Sequence, residues 1–200
     1  MMRYDVINQI LDRVGRARYL EIGVSTGETM RQVRAEVRVG VDPHPHPDGV
    51  AAATEFARMT SDAYFKSLDD AARFDVTFID GLHYAEQAYR DIEHACRRSK
   101  VVVVHDANPS TEAMQIVPPV QGEWTGDVWK AVARVRVIGK HAVRTIDTDY
   151  GVAVIVPYRA ESVQPLPRET WSDLVQHRAL LLGLIAPQEW RDWFDRAFVS

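Results

Sequence analysis

The segment from Glu21 to Gly27 combines the end of an apolar run, one acid and two glycines. A glycine turn between a strand and a helix lets a ligand approach the backbone, and the amides of the following helix then face that ligand. Gly23 and Gly27 lack the third glycine of the dinucleotide pattern G-x-G-x-x-G. The segment therefore predicts a cofactor-binding turn, and a tight turn that serves chain packing alone is the alternative.

Two further acidic positions follow the next predicted strands. Asp42 comes about 20 residues after the glycine turn, where a carboxylate can accept the hydroxyls of a ribose. Asp before Pro is also common in turns, so a turn residue is the competing interpretation. Ser61 and Asp62 stand after a third predicted strand at Thr54 to Met59, where either residue can cap a helix.

Asp80 and His83 follow the apolar run from Phe74 to Ile79. An imidazole titrates near neutral pH, which suits a general base, and an acid three residues before it in the same turn can support that role. We therefore predict His83 and Asp80 as catalytic residues. The alternative is that His83 only caps or solvates the start of the next helix.

His105 and Asp106 end the apolar run from Val101 to Val104. Together with Asp80 they offer the carboxylate oxygens and imidazole nitrogen of a candidate metal site, and Mg²⁺ takes one or two carboxylates plus water. Adjacent residues on a strand point to opposite faces, so His105 and Asp106 need not reach one ion. The residues thus admit either a Mg²⁺ site or a site without metal.

Short strands alternate with helices along the first half of the chain, which predicts an α/β fold with a doubly wound, mostly parallel sheet. Two β-rich runs at Val143 to Ile146 and Gly151 to Val156 predict a closing antiparallel hairpin. The histidine- and proline-rich segment from His44 to Gly49 is predicted to be irregular, because each proline removes a donor and restricts its predecessor.

We predict a single domain over residues 1–200, with a lid-like loop at about 107–126 and a helical C-terminal tail at about 168–198. The five tryptophans are interpreted first as core residues. Trp124 and Trp129 have a second interpretation as part of a substrate lid, and the apolar tail has a second interpretation as a homodimer contact.

Composition narrows the function classes. The net charge is −4, and a mildly acidic surface disfavours a nucleic-acid partner. The apolar runs are too short for a membrane span, and the N-terminus does not resemble a signal peptide. Cys96 is the single cysteine, which fits a reducing compartment. We therefore expect a cytoplasmic protein that acts on a small molecule.

Taken together, Glu21 to Gly27, Asp42, Phe78 to His83 and His105 to Pro109 resemble the class I S-adenosylmethionine-dependent methyltransferases. The chain is most similar to the small bacterial methyltransferase domain 24 type, which is akin to macrolide sugar O-methyltransferases. The resemblance covers about residues 19–156. It implies a Rossmann-like, seven-stranded sheet, with S-adenosylmethionine as cofactor and O-methylation of a sugar or secondary-metabolite hydroxyl as activity.

The resemblance also implies roles for individual residues. Glu21 and Gly23 would line the methionine end of the cofactor, where Asp80 would face either the methionine or Mg²⁺, and His83 would act as the base. Asp42 would hold the ribose. The cofactor turn would consist of Ser25, Thr26 and Gly27, and the adenine contact of Ser61 and Asp62. The His-Asp pair at residues 105–106 departs from the two adjacent acids of the metal-dependent sugar O-methyltransferases.

Three other functions remain open at this stage. An NAD-dependent oxidoreductase would share the glycine turn, but the glycine spacing and the terminal hairpin count against it. A non-catalytic S-adenosylmethionine-binding protein would keep the same residues without turnover. A hydroxylase-like relative is the third alternative.

Overall fold

A computed structural model describes residues 1–161 and 168–199 of the chain. The chain divides into two compact units, of which the first comprises residues 1–82 and 90–103 and the second residues 83–89 and 104–200. The single domain expected over the whole chain stays a prediction.

The first unit alternates strands and helices. Its elements are α1 (Arg3–Val14), β1 (Arg18–Ile22), α2 (Glu28–Gln32), β2 (Val37–Val41), α3 (Pro47–Ala52), β3 (Glu55–Ala57), α4 (Ser61–Ser67) and β4 (Phe74–Ile79). Helix α5 (Ala85–Cys96) has its last seven residues in this unit, and β5 (Ser99–Val104) all but its last residue.

The strands of the first unit lie in the order β3-β2-β1-β4-β5. β1 pairs in parallel with β2 and β4, so that Leu20 stands opposite Val39 on one side and Thr77 on the other. β2 pairs in parallel with β3. All six residues of β4 are buried, as expected for a parallel strand covered on both faces. Consequently the ends of β1, β2 and β4 bring the glycine turn, Asp42 and Asp80 to one edge.

The second unit closes the sequence with a hairpin and helices. Its further elements are α6 (Val128–Ile138), β6 (Ala142–Ile146), β7 (Val152–Val156), α7 (Trp171–Leu182), β8 (Leu184–Ile185) and α8 (Trp190–Val199), and a 3₁₀ turn spans Ala113–Gln115. β6 pairs with β7 antiparallel and with β8 in parallel. In the part of the chain that is described, no helix combines the length and apolarity needed to cross a bilayer.

The predicted α/β class is confirmed, with a mostly parallel sheet and an antiparallel hairpin near its end. The described residues contain eight strands, one more than the seven expected. The additional strand, β8, has two residues after the left-handed Gly183, and it forms because Leu184 and Ile185 continue along β6. Two residues are too few to produce a strand pattern in a sequence.

Helix α2 is shorter than the run from Glu28 to Ala35 that the sequence favours. It ends at Gln32, where the side chain of Asn8 from α1 forms hydrogen bonds with the backbone. The Asn8 side-chain amide donates to the Gln32 carbonyl (2.9 Å), and its oxygen accepts from the Arg34 N–H (2.8 Å). These bonds satisfy groups at the helix end while the backbone turns to extended geometry at Val33.

Two other local predictions are corrected. The segment from His44 to Gly49 is not wholly irregular, because α3 begins at Pro47, where a proline has no helical N–H to lose. His46 caps that helix, with Nδ1 accepting from the Asp48 N–H at 3.2 Å. Helix α4 is capped by Thr60, whose hydroxyl accepts from the Ala63 N–H at 3.3 Å, and not by Ser61 or Asp62.

The described residues from 168 to 199 contain helices α7 and α8, with β8 between them. Leu174, Leu181 and Leu182 of α7 pack with Trp129 and Ala133 of α6 in a buried cluster. Trp129 is fully buried, and its indole N–H donates to Gln115 at 3.1 Å, so the core interpretation holds for this tryptophan. Trp190 and Trp193 of α8 are buried as well.

We expect Leu174→Ala to lower the free energy of unfolding by about 2–5 kcal/mol, because it removes a fully buried side chain from a packed cluster. Val175→Ala is the matched control on the same helix, since Val175 is 55% exposed. Urea denaturation followed by circular dichroism measures both variants. Equal effects at the two positions would contradict the packing described here.

Candidate active site

The glycine turn of the first unit, residues 23–27, depends on backbone conformations that L side chains rarely adopt. Gly23 has φ 84° and Gly27 φ 77°, and Ser25 between them has φ 47°. A Cβ on Gly23 would lie 2.2 Å from the Asp80 carbonyl oxygen and 2.5 Å from the Gly81 Cα. Gly23 is therefore required by the close approach of the chain after β4 as well as by its own conformation.

Asp42 fastens this turn. Its Oδ2 accepts from the Val24 N–H (3.1 Å) and the Ser25 N–H (2.9 Å), while Oδ1 accepts from the His44 N–H (2.8 Å). The competing interpretation of Asp42 as a turn residue is thus realised in the structure. Ribose binding by the same carboxylate stays a prediction.

Helix α3 supports the turn from another side, which the sequence did not reveal. A Cβ on Gly49 would lie 2.2 Å from the Ser25 carbonyl oxygen, and the His46 N–H donates to that oxygen at 3.1 Å. The chain following Asp42 therefore returns to the turn and fixes Ser25. The glycine at position 49 was the one available signal, because it interrupts a polar, proline-rich segment without an evident reason.

Glu21 lies under this turn as a buried carboxyl group, 2% exposed. The Tyr19 hydroxyl donates to Oε2 at 2.7 Å. Burial raises the pKa of Glu21 to about 8, with a further upward contribution from the negative charge of Asp80, while the Tyr19 hydrogen bond and Arg3 oppose the shift. Burial also raises the pKa of Tyr19 well above its usual value. The Glu21 carboxyl is therefore largely protonated at neutral pH until a cation approaches it.

The predicted adenine residues stand at the start of α4. Ser61 is 9% exposed, whereas Asp62 is exposed and forms an ion pair with Arg90, with Oδ2 and Nη2 3.4 Å apart. The structure thus gives Asp62 a protein partner, and its contact with adenine stays a prediction.

In the second unit, Asp106 lies between two histidines. Its Oδ2 is 3.2 Å from Nδ1 of His83, and its Oδ1 is 3.3 Å from Nδ1 of His105. The His83 and Asp106 side chains are 19% and 8% exposed. Asp106 has φ 58°, a conformation that costs free energy in a non-glycine residue and is often found at functional sites. A carboxylate that faces Nδ1 selects the tautomer in which Nε2 can accept a proton.

His105 is turned toward carboxylates on both sides of its ring. Besides Nδ1 at Asp106, its Nε2 lies 3.5 Å from Oδ1 of Asp149. The neighbouring Asn108 is occupied as well, since its amide donates to Asp147 at 3.0 Å and its oxygen accepts from Arg178. These contacts give His105 and Asn108 positioning roles that the sequence did not predict.

The segment Trp124–Asp127 surrounds His83. The Trp124 ring stacks on the imidazole with centroids 5.2 Å apart and planes inclined by 21°. A Cβ on Gly126 would lie 1.8 Å from the His83 carbonyl oxygen, and the Asp127 N–H donates to that oxygen at 3.2 Å. Asp127 Oδ1 in turn accepts from the Ala85 N–H at 2.7 Å. Residues 124–127 therefore pack around His83, and the lid over residues 107–126 stays a prediction.

The predicted residues thus fall into two groups. Glu21, Gly23 and Asp80 are neighbours in the first unit, and His83, His105 and Asp106 are neighbours in the second. The roles of these residues as cofactor, catalytic or metal ligands stay predictions. Tyr19, Gly49 and Gly126 are positioning residues that sequence reasoning missed, and the stacking of Trp124 on His83 was not predicted either.

The parallel strand order β3-β2-β1-β4-β5 and the antiparallel pair β6–β7 match the Rossmann-like fold of solved methyltransferase structures. Residues 20–107 match a family described as "Methyltransferase domain", which confirms the resemblance found in the sequence. A comparison with curated protein sequences found no match.

Solved structures share the fold at low sequence identity. An O-methyltransferase from Bacillus cereus in complex with SAH aligns with a TM-score of 0.57 and 12% identity, over 77% of this chain and 80% of that one. The O-methyltransferase TomG from Streptomyces achromogenes, involved in tomaymycin synthesis and crystallised with SAM, aligns with a TM-score of 0.56 and 15% identity, over 78% and 79%.

The raised pKa of Glu21 should make stability depend on pH. Between its ordinary pKa of 4.5 and its folded value of about 8, the carboxyl is ionised in the unfolded chain and protonated in the native protein. The native state then binds more protons, so the free energy of unfolding should fall as pH rises through this range. Glu21→Gln should flatten the profile in urea titrations at several pH values.

Glu36→Gln is the control for this measurement, because Glu36 is exposed and the substitution removes the same charge. Its profile should follow the unmodified protein. A Glu21→Gln profile that also retained the full pH dependence would show that Glu21 is ionised in the native protein.

Proposed function

We propose that the protein is an S-adenosylmethionine-dependent methyltransferase that methylates a hydroxyl group of a small molecule, such as a sugar or secondary metabolite. The observation that carries the proposal is the turn of residues 23–27, held by Asp42 beside the buried Glu21 and inside the region that matches methyltransferase domains. The SAM- and SAH-bound structures of similar fold support the choice of cofactor.

The residues of the turn fit such a cofactor. Ser25 and Thr26 are exposed, so their backbone is accessible, and the glycines beside them leave the approach open. Glu21 would bind the ammonium group of the methionine moiety, because an adjacent cation favours the ionised form of a buried carboxyl. Asp42 would accept from the ribose, and Ser61 with Asp62 would contact the adenine.

S-adenosylmethionine, when bound, supplies a methyl group on a positively charged sulfur, and its transfer to oxygen leaves S-adenosylhomocysteine. The protein then has to orient the acceptor and remove its hydroxyl proton. In our proposal Nε2 of His83 takes that proton while Asp106 stabilises the resulting imidazolium through Nδ1. Trp124 restricts the imidazole to one orientation by stacking on its face.

A Mg²⁺ site at Asp80, Asp106 and His105 stays a prediction. The contacts within the second unit favour a carboxylate–imidazole cluster, since Asp106 faces two histidines and His105 faces two aspartates. Proton removal by His83 requires no metal. A homodimer contact through the apolar tail and a cytoplasmic location also stay predictions.

Cofactor binding should release a proton from Glu21. We expect S-adenosylhomocysteine, but not NAD, to give binding heat in isothermal titration calorimetry, with an enthalpy at pH 7 that changes with the ionisation enthalpy of the buffer. The physical reason is that the ammonium group converts a protonated carboxyl to a carboxylate. The dependence on buffer should correspond to up to one proton per bound molecule.

Glu21→Gln should abolish the buffer dependence, whereas Glu36→Gln should preserve it. If the unmodified protein bound S-adenosylhomocysteine without releasing a proton, Glu21 would not be the group that binds the ammonium. The proposed cofactor would still stand. A lack of heat with both S-adenosylmethionine and S-adenosylhomocysteine would refute the proposed function.

Screening of hydroxyl compounds would first identify a methyl acceptor. With that acceptor, His83→Ala should lower turnover by about 10²–10⁴-fold, because the substitution removes the base. Asp106→Asn should lower turnover less, since the imidazole remains. Formation of S-adenosylhomocysteine measures the rate, and calorimetry should show unchanged cofactor affinity.

His177→Ala, at an exposed position of α7, is the control. Full turnover of His83→Ala would show that His83 is not the base. Turnover that is lost with EDTA and restored by Mg²⁺ would show that the reaction requires the metal.

A further inference from the structure

A second concave site lies in the first unit, away from the glycine turn, and shares with the proposed cofactor site only Asp62, the proposed adenine contact. This α4–α5 pocket is a cavity of about 670 Å³ between helices α4 and α5 and the segment that connects α4 to β4. Arg73 immediately precedes β4, and Asp80 immediately follows it. The basic end of the pocket is therefore at the amino end of β4, on the opposite edge of the parallel strands from Gly23 and Asp80.

Positive charge is concentrated in this pocket. Five cationic side chains line it, against two carboxylates, and they come from α4, the connecting segment, α5 and the turn between α5 and β5: Lys66, Arg73, Arg90, Arg97 and Arg98. The whole chain has a net charge of −4, so this is a local reversal of sign. Cations on a solvated helix face diverge into water, whereas these side chains border one cavity of a size typical for small-molecule ligands.

The two carboxylates neutralise the pocket only in part. Asp62 is 3.4 Å from Arg90, and Asp70 is 3.8 Å from Arg98. Glu93, outside the lining, is 3.9 Å from the exposed Arg97. The Asp70 side chain is fully exposed, and an ion pair at that distance in water contributes little. The cationic excess thus remains available to an anionic ligand.

Backbone carbonyls hold two of the guanidinium groups in place. Arg73 Nη1 donates to the carbonyls of Asp70 (2.6 Å) and Ala72 (2.9 Å), and Arg98 Nη1 donates to the carbonyl of Asp69 (2.7 Å). The Phe74 N–H donates to the Arg98 carbonyl at 2.9 Å, which links the two segments. A carbonyl positions a guanidinium without removing its charge, and each guanidinium has five N–H donors suited to phosphate oxygens.

We infer that the α4–α5 pocket binds a small ligand that carries two or more adjacent phosphate groups. One phosphate would engage Arg73 and Arg98, and the next would lie toward the exposed Lys66 and Arg97. The wall of the pocket contains His94 stacked on Phe65, with ring centroids 5.2 Å apart and planes inclined by 17°. This wall offers a flat surface to a base if the phosphates belong to a nucleotide.

Calorimetry with inorganic pyrophosphate at fixed ionic strength tests the inference. Pyrophosphate should bind at least about tenfold more tightly than inorganic phosphate, because two charged groups are engaged together. The double variant Arg73→Gln/Arg97→Gln should weaken pyrophosphate binding by about tenfold or more. Its affinity for S-adenosylhomocysteine should be unchanged, since the glycine turn is at the opposite edge.

Arg13→Gln/Arg191→Gln is the control, because it removes the same charge from exposed positions on α1 and α8. If both double variants weakened pyrophosphate binding equally, net charge alone would explain the effect and the inference would be overturned. A lack of binding heat with pyrophosphate would overturn it as well. ADP binding more tightly than pyrophosphate would assign the phosphates to a nucleotide, and equal affinities would assign them to a free polyphosphate; both results support the pocket. Tighter binding of a short single-stranded oligonucleotide, lost in the same variant, would replace it with a nucleic-acid surface.

Discussion

The close approach of Gly23 to the backbone of Asp80 and Gly81 is the constraint on which the first unit's site depends. No side chain fits at position 23, because a Cβ there would lie 2.2 Å from the Asp80 carbonyl oxygen and 2.5 Å from the Gly81 Cα. The turn after β1 can therefore pack directly against the turn after β4. The same packing is repeated between Gly49 and Ser25. Because both contacts involve backbone atoms, the turn has little freedom to rearrange, which suits a cofactor site that must be formed before its ligand arrives.

The acids at the strand ends were predictable because parallel strands share one direction, so any residue that follows a strand must lie at the same edge. The positions of Asp42 and Asp80 at this edge could therefore be predicted without knowing any side-chain contact. The bond between Tyr19 and Glu21 was not predictable in the same way. Alternate residues of a strand lie on one face, but the sequence does not say whether two polar side chains there meet each other or water.

Contacts between distant parts of the chain account for most of what the sequence did not reveal. Asn8 ends α2 from 24 residues away, and Asp127 caps the turn at Ala85 from 42 residues away. The sequence near Trp124 suggested a lid because prolines and glycines without a period are typical of mobile loops. Its aromatic ring stacks on His83, and a single tryptophan in a sequence carries no pattern that predicts such a contact. The lid itself stays a prediction.

The bonding capacity of Asp42 limits how it could bind the ribose that we propose for it. An ionised carboxylate has about four lone-pair sites, two on each oxygen. The Val24 and Ser25 amides occupy both sites of Oδ2, and the His44 amide occupies one site of Oδ1. One site is left, which suffices for one ribose hydroxyl while the turn stays intact. Bonds to both hydroxyls would require one of these three amides to be released. Val24 and Ser25 belong to the turn of residues 23–27, and His44 leads into α3, which fixes Ser25, so any such release would move that turn.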